Sequence, residues 1–341
     1  MTFSVVTDHI GGRPSAALLC DGVLDDLLID PPGQFPRQGT IYRALADRPV
    51  KGQGGIFVRL PEGSGFLRHA KGITPGRTLL VQVTGYAEPG KAVPVSARPL
   101  FKSRYCIVSP GAPGANLSRA IRDEDERLRL RDLLTGLALP EGTGLILRSA
   151  CTGTEAAPIV ADINAMLDVA RAVTGDAGSG PELLLDGPNA TERAWMEWPE
   201  ASPPVPDADF GNTGVAEAIA ALAGPAPLPG GGQIHVEPTH ALIAVDINTG
   251  PDTSPAAGLK ANLAAARLLP RLLRLRGLGG QITVDLAPAP KKDRPRIEQA
   301  FRAAFRGDRI ETALAGWTPL GNLELQRKRE RLPLSIALTR K

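Results

Sequence analysis

The sequence predicts a mixed α/β protein built from several subdomains. Its 341 residues are 43% hydrophobic and 22% charged, which allows a sizeable buried core but is long for one domain. Glycine (38 residues) and proline (32) make up about a fifth of the chain, which excludes a helical bundle and predicts many short elements joined by tight turns. A β-α-β pattern in the last third adds a pair of parallel strands.

The N-terminal part of the chain predicts only strands. Three apolar runs within residues 3–30 are separated by turn residues: FSVVT, SAALLC and VLDDLLID. Five more follow between Thr40 and Ser96: TIYRAL, GGIFVRL, GFLRHA, RTLLVQVTGY and AVPVSA. Glycine and proline separate these five at the spacing of a small closed barrel.

Strands and helices alternate in the middle of the chain. SRYCIVS (103–109) and GLILRS (144–149) predict strands, with a charged helix between them at about 120–137. Thr152-x-x-Glu155 is a capping-box pattern and predicts the start of another helix. Residues 174–232 contain three Pro/Gly-rich stretches around one short helix near 214–223, and we interpret this region as linker-like.

The last third is the most regular. IHVE (234–237) and ALIAVD (241–246) predict a hairpin, and a helix follows at about 257–276 with an expected kink at Pro270. QITVD (281–285) predicts a strand and residues 294–306 a helix.

Two strands of this region end in Val-Asp. In a β-α-β unit they are parallel, so Asp246 and Asp285 are expected at the same edge of the sheet, together with Asn248. Glu237 lies beside the hairpin turn and is excluded as a partner. Two carboxylates and an amide suit Mg²⁺, which keeps several waters and meets a substrate phosphate. The alternative is that both aspartates only cap the following loops.

Charge is unevenly distributed although the formal net charge is only +3. Residues 181–255 hold 1 basic and 11 acidic residues, whereas residues 256–341 hold 18 basic and 7 acidic ones. Cationic groups in the last third are Arg267, Arg271 and Arg274 on one predicted helix face, and Gln326-Arg327-Lys328-Arg329. Beside a carboxylate pair they suggest phosphodiester chemistry, and the alternative is an ordinary solvated surface.

Other functional classes find no support. The three cysteines (Cys20, Cys106 and Cys151) are scattered, which fits a reducing cytoplasm. The four histidines form no HExxH motif, no GxxxxGK[ST] phosphate loop occurs, and no apolar run is long enough to span a bilayer.

Three segments resemble, in order, the catalytic domain of the ribonuclease E/G family: LPGGGQIHVEPTHALIAVDINTG, ANLAAARLLPRLLRLRGLGGQITVDL and LGNLELQRKR. That family shows a glycine pair, an Asp-x-Asn-[Ser/Thr] loop, Asn-Leu-x-Ala-Ala, Leu-Arg-x-Leu-Gly-Gly and a second strand-ending Asp. Upstream, LPEGTGLILRSA resembles the family's 5′-monophosphate-sensing segment, and NLSRAI resembles the segment before it. The resemblance extends over nearly the whole chain and is weakest at residues 1–38 and 151–228.

The resemblance implies a subdomain order for the α/β fold. It comprises N-terminal strands of a reduced RNase H-like subdomain (1–38), an OB-fold RNA-binding barrel (39–96), a 5′-monophosphate sensor (97–181), a shortened RNase H-like or linker region (182–228), and a DNase I-like α/β catalytic subdomain (229–341).

It also implies roles for matched positions. Asp246 and Asp285 would hold the Mg²⁺ that activates the attacking water, with Mn²⁺ as a substitute, and Asn248 would orient the scissile phosphate or the metal. Arg148 and the hydroxyl of Ser149 would bind a 5′-monophosphate. The expected RNA-contacting residues are Phe57 and Phe66 through base stacking, Lys91 through the backbone, and Arg267, Arg271, Arg274, Arg327 and Arg329. Phe57 fits the barrel core equally well.

The chain departs from the family pattern in places. No cysteine follows Arg329, where the family has a Cys-Pro-x-Cys zinc link, so neither zinc nor a zinc-linked oligomer is expected. Pro288 stands where the family often has an acid. The expected function is that of a cytoplasmic Mg²⁺-dependent endoribonuclease acting on single-stranded RNA, not DNA, in RNA processing or decay. The alternatives are a non-catalytic or weakly active RNA-binding relative and a metal-dependent phosphatase of small molecules.

Overall fold

The computed structural model describes residues 2–50, 52, 54–87, 90–199, 204–206, 208–254 and 256–339. The chain folds as two compact units. One, which we call the C-terminal unit, comprises Val6–Pro32 and the chain from Val205 onward. The other, the barrel unit, comprises Thr2–Val5 and Gly33–Pro204.

The first three strands form a sheet in chain order: β1 (Phe3–Ile10), β2 (Arg13–Cys20) and β3 (Val23–Ile29). The turns between them are the two-residue pairs Gly11-Gly12 and Asp21-Gly22, all four with positive φ. Turns of that conformation match the twist of the flanking strands and favour hairpins. The three predicted strands are thereby confirmed.

Five strands form a closed barrel: β4 (Ile41–Val50), β5 (Gly55–Arg59), β6 (Ser64–Leu67), β7 (Thr78–Val83) and β8 (Val93–Ser96). Their order is β4-β5-β6-β8-β7, and pairing of β7 with β4 closes the barrel. Strands β6 and β8 are parallel and the other neighbours are antiparallel. The predicted closed barrel is confirmed, and the arrangement is consistent with an OB-like fold.

A second sheet of the barrel unit follows along the chain. Its elements are β9 (Phe101–Lys102), β10 (Cys106–Pro110), β11 (Gly114–Leu117), α1 (Glu124–Thr135), β12 (Thr143–Leu147) and α2 (Ala156–Thr174). The strand order is β11-β12-β10-β9. The capping-box prediction is wrong, because Ser149–Cys151 forms a separate 3₁₀ turn ending at Thr152, and α2 begins after Glu155 without a side-chain cap.

Two elements occupy a stretch that we interpreted as linker-like. Strand β13 (Glu182–Leu185) pairs with β4, and helix α3 (Ala190–Glu197) begins with an Asn189/Glu192 capping box. Both are short and lie between Pro/Gly-rich segments, which concealed their periodicity. The helix predicted near 214–223 is present as α4 (Val215–Ala221).

The last elements form a six-stranded sheet with two long helices and one short one. They are β14 (Ala226–Pro227), β15 (Gln233–Pro238), β16 (Ile243–Asn248), α5 (Ala257–Leu275), β17 (Gly280–Asp285), α6 (Arg294–Arg306), β18 (Thr312–Trp317), β19 (Leu323–Arg327) and α7 (Leu334–Ala337). The order is β14-β15-β16-β17-β19-β18, and β16 and β17 form its parallel pair. The predicted hairpin and β-α-β unit are confirmed, and α5 continues through Pro270.

This sheet has one apolar and one polar face. Val245, Val284 and Leu325 belong to a core that also contains apolar residues of α5 and α6. The alternate positions of β16 and β17, including Asp246 and Asp285, are exposed or partly exposed. The period of two therefore places both aspartates on the polar face.

Candidate active site

The two aspartates that the sequence predicts at strand ends are direct neighbours, although β16 continues for two residues beyond Asp246. Asp246 on β16 is the register partner of Asp285 on β17 in the parallel pair. Adjacent strands lie about 4.8 Å apart, so the two exposed carboxylates share one edge of the polar face. Within the described residues no backbone N–H group donates to either carboxylate, which disfavours the interpretation of both as loop caps.

Asn248 contacts the first aspartate. Its Nδ2 donates a hydrogen bond to Asp246 Oδ2 at 2.7 Å, and its side chain lies on the same face, two residues further along β16. The amide therefore fixes the orientation of the Asp246 carboxylate.

Glycines bring two loops together beside Asn248. A Cβ atom at Gly232 would lie 2.4 Å from the Asn248 carbonyl oxygen, and one at Gly250 would lie 2.1 Å from the Gly231 carbonyl oxygen. Gly250 also has φ +64°, in the left-handed region that side chains disfavour. The segment after β16 thus keeps its close path because these positions lack side chains.

Asn262 is a buried residue to which the sequence interpretation assigns no role, although it begins the Asn-Leu-x-Ala-Ala motif. From the apolar helix α5, its Nδ2 donates to the Ala287 carbonyl at 2.9 Å, and its Oδ1 accepts from the Ala287 N–H at 3.0 Å. Ala287 lies two residues after Asp285, so the clamp holds the loop that leaves the site. A lone asparagine among alanines and leucines was the available signal, since a buried amide requires partners.

His235 is the second residue that sequence reasoning missed. It is the register partner of Asp246 on β15, whereas Glu237 pairs with Ala244. The exclusion of Glu237 as a neighbour of Asp246 agrees with this register. Counting residues outward from the hairpin turn would have placed His235 beside Asp246.

The donor set fits a hard divalent cation. Among the described residues, no group of three or more histidine, cysteine or acidic side chains is arranged as a metal site. Two adjacent carboxylates provide oxygen ligands on an exposed edge, and Mg²⁺ commonly takes one or two carboxylates and completes its shell with water and substrate phosphate.

Two of the expected RNA-contacting arginines are buried instead. Arg274 is 7% exposed and forms ion pairs with Asp25 and Asp308, and Arg327 is 1% exposed and pairs with Asp308. The prediction that they present charge to RNA is wrong, because tertiary packing brings carboxylates against them. We call the ion-paired group of Asp25, Asp26, Asp308, Arg274, Arg309, Arg327 and Arg331 the ion cluster. The side chains of Asp26, Asp308 and Arg327 are fully buried in it, whereas Arg309 is exposed.

The other three arginines differ in exposure. Arg267 and Arg329 are exposed. Arg271 is half-buried, and its Nε donates to the Leu24 carbonyl at 2.6 Å. Burial lowers the pKa of the Arg271 guanidinium, and the charge of nearby Asp25 opposes that shift. Only Arg267 and Arg329 of the five therefore keep the exposure that the sequence interpretation required.

Arg148 and Ser149 lie at the end of β12 in the barrel unit. The Arg148 guanidinium donates to the Ser103 carbonyl, and its backbone N–H donates to the Tyr105 carbonyl at 2.8 Å. Burial lowers the pKa of Arg148, and the charge of Glu197 opposes that shift. Ser149 begins the 3₁₀ turn.

Asp162 on α2 supports the same loop and was also missed. It accepts hydrogen bonds from the Ser103 hydroxyl and, at 3.2 Å, from the Tyr105 N–H. One carboxylate therefore holds both ends of the segment that contacts Arg148.

The barrel carries two aromatic side chains outside its core. Phe57 and Phe66 are register partners on β5 and β6, with ring centroids 5.5 Å apart, and both are partly exposed. The Arg48 guanidinium lies 5.3 Å from the Phe57 centroid. The interpretation of Phe57 as barrel core is wrong, because its neighbours in sequence fill the interior. Lys91 is exposed, two residues before β8.

No helix in the described parts of the chain is long and apolar enough to cross a membrane.

The sequence model of the Ribonuclease E/G family matches residues 101–202 and 207–330. This chain is similar to ribonuclease E of Nostoc sp. (strain PCC 7120), with 29% identity over 86% of the chain and 51% of the relative.

Two relatives from Escherichia coli (strain K12) are also similar. Ribonuclease E is 28% identical over 91% of this chain and 35% of its own length. Ribonuclease G is 25% identical over 97% of this chain and 81% of its own length. The chain spans about half the length of the Nostoc ribonuclease E. Because the family model matches well over half of its residues, this chain belongs to the Ribonuclease E/G family.

Proposed function

We propose that this protein is an Mg²⁺-dependent endoribonuclease that cleaves single-stranded RNA by hydrolysis and prefers 5′-monophosphorylated ends. The observation that carries the proposal is the register pairing of Asp246 with Asp285 on an exposed sheet edge in a member of this family. Within the described residues neither carboxylate forms an ion pair, whereas the carboxylates of the ion cluster do.

Each residue has a defined part in this proposal. Asp246 and Asp285 would hold the cation, and Asn248 keeps the Asp246 carboxylate oriented toward that position. A Mg²⁺ or Mn²⁺ ion held there would supply a lowered pKa for a bound water and neutralisation of charge on the scissile phosphate. Asn262 holds the loop behind Asp285, so that the second carboxylate keeps its position.

RNA binding is assigned to the barrel unit. Phe57 and Phe66 offer partly exposed rings for base stacking, and Lys91 and Arg48 offer charge for the backbone. Arg148 and Ser149 recognise the 5′-monophosphate. A guanidinium that already donates to a carbonyl is oriented before the phosphate arrives, which reduces the entropy lost on binding.

The test is cleavage of a short A/U-rich RNA bearing a 5′-monophosphate, a 5′-triphosphate or a 5′-hydroxyl, with and without Mg²⁺. We expect cleavage only with the metal and fastest with the 5′-monophosphate. Asp246→Asn should lower the rate by at least about 100-fold, since removing one group that stabilises charge at a reaction centre costs about that much, while RNA still binds.

Glu237→Gln is the matched control. It neutralises an exposed carboxylate on β15, the strand beside β16, and the register partner of Glu237 is Ala244 rather than Asp246. Its rate should stay within about twofold of wild type. Unchanged cleavage by Asp246→Asn would exclude the proposed active site. RNA binding without metal-dependent cleavage in the wild-type protein would favour the non-catalytic relative.

A further inference from the structure

Beside Arg148, a loop residue stacks on an exposed tryptophan. The Arg104 guanidinium lies 3.6 Å from the Trp195 ring centroid, and Arg104 also donates hydrogen bonds to the carbonyls of Trp195 and Pro199. The Trp195 side chain, on α3, is 38% exposed, whereas Trp198 three residues later is 1% exposed. Arg104 thus covers part of the Trp195 ring and also binds the Trp195 carbonyl, while more than a third of Trp195 stays open to solvent.

Trp195 leaves more than a third of its surface open to solvent beside a stacked guanidinium, and indole rings are suited to stacking on nucleic-acid bases. The Arg104 Nε atom is buried without a hydrogen-bond partner among the described residues, so this guanidinium is held over the ring rather than optimally hydrogen-bonded. The pair has the form of a preorganised stacking surface.

The Arg104–Trp195 pair and Arg148 are contacted by the same loop. The Ser103 carbonyl accepts from the Arg148 guanidinium, and the Tyr105 carbonyl accepts from the Arg148 backbone N–H. Arg104 lies between these two residues, so the loop that contacts Arg148 also reaches Trp195. Positive charge on Arg104 is close enough to oppose the charged form of Arg148. A phosphate held by Arg148 would therefore lie beside the loop whose Arg104 contacts Trp195.

We infer that Arg104 and Trp195 form a stacking platform for the 5′-terminal base of the RNA whose 5′-phosphate Arg148 and Ser149 hold. The inference rests on the proposed function and adds a base-recognition element to it. Trp195 contacts the base, and Arg104 is a positioning residue that orients the ring. The platform accepts any base and rejects a 5′ end without one, because stacking uses the π-face common to all four bases.

The experiment measures RNA binding in EDTA, so that no metal-dependent cleavage occurs. Four ten-nucleotide RNAs are compared, which begin with adenosine or with an abasic ribose and carry a 5′-monophosphate or a 5′-hydroxyl. For wild-type protein we expect the adenosine RNA to bind at least about fivefold more tightly than the abasic RNA, the lower end of what one stacked base contributes. Trp195→Ala should reduce that ratio below about twofold and leave the phosphate preference unchanged.

Two variants make the result interpretable. Trp195→Phe keeps an aromatic ring and should retain most of the base preference, which separates lost stacking from a damaged helix. Arg148→Gln should abolish the preference for a 5′-phosphate and keep the preference for adenosine. Quenching of tryptophan fluorescence by the adenosine RNA should decrease in Trp195→Phe, because Trp198 is buried and cannot stack on a base.

The two hypotheses fail in different ways. An adenosine-to-abasic ratio that is the same in wild type and Trp195→Ala would overturn the stacking platform. Absence of any phosphate preference in wild-type protein would overturn the proposed 5′-end sensing instead. If the base preference still depended on Trp195 in that case, stacking would occur at an internal nucleotide, and the assignment to the 5′-terminal base would be overturned.

Discussion

Asp285 and Arg327 lie at opposite ends of the same antiparallel pair, β17 and β19, and their surroundings differ completely. Asp285 ends β17 on the exposed polar face beside Asp246. Arg327 is opposite Gly280, the first residue of β17, and its buried guanidinium pairs with the fully buried carboxylate of Asp308. Both ends carry an aspartate, but at one end it is paired with an arginine inside the protein, whereas at the other two aspartates present like charges to solvent.

The difference separates charges that are paired inside the protein from charges that are exposed to solvent. A charge removed from water needs a partner, because its desolvation is otherwise uncompensated, so the ion cluster joins β3, α5, β19 and the loop after α6. Adjacent exposed carboxylates repel one another and contribute no stability of their own. We propose that a bound cation offsets this repulsion between Asp246 and Asp285, whereas the carboxylates of the ion cluster are already paired with arginines.

The largest expected effect is on stability, at the ion cluster. Asp308→Ala leaves the guanidinium groups of Arg274 and Arg327 buried without their shared partner, which should lower the free energy of unfolding by about 3–5 kcal/mol. Denaturant unfolding measures this change. Arg302→Gln, which breaks an exposed pair with Glu298, is the control and should cost at most about 1 kcal/mol. Equal effects of the two changes would show that burial does not distinguish the pairs.

A smaller effect on stability, together with an effect on catalysis, is expected at Asn262. Asn262→Leu leaves the Ala287 N–H and C=O groups buried without partners, which should cost about 1–3 kcal/mol of stability. Because the loop behind Asp285 loosens, kcat should also fall by about tenfold with little change in KM. Denaturation and steady-state cleavage test the two parts. Asn164→Leu, at an exposed position of α2, should change neither, and a stability loss without any loss of kcat would contradict the link to the active site.

The smallest expected effect is a pH dependence of stability. Burial disfavours the charged form of the Asp26 side chain and by itself would raise its pKa. Attraction to the charges of Arg331, Arg274 and Arg309 outweighs the effect of burial, so the pKa of Asp26 is lowered. A carboxylate with a lowered folded-state pKa stabilises the protein fully above its unfolded value of about 3.9, and this contribution is lost as pH falls through the folded value. The midpoint temperature of thermal unfolding of the wild type should therefore fall below about pH 4. Asp26→Asn should have a lower midpoint temperature than wild type at pH 6, and its midpoint should change less with pH. Parallel curves of midpoint against pH would contradict this assignment.

Much of the fold follows from local patterns in the chain. Alternating apolar residues and glycine turns predict the barrel strands, and the β-α-β pattern predicts β16, α5 and β17. Helix α3 and strand β13 were not predicted, since eight and four residues between Pro/Gly-rich stretches show too little periodicity. The Asn262 clamp was missed because its partner is the backbone of a loop 25 residues away.

The sequence by itself determined that Asp246 and Asp285 share one edge of the sheet, since parallel strands joined by a crossover helix have their carboxyl ends at the same edge and both aspartates lie at or near those ends. It also showed that Arg267, Arg271 and Arg274 recur at helical spacing. Only the tertiary structure decided that Arg274 meets Asp25 and Asp308 while Arg267 meets solvent. Helical periodicity specifies which residues share a face, but what covers that face depends on segments distant in sequence, here β3 and the loop after α6.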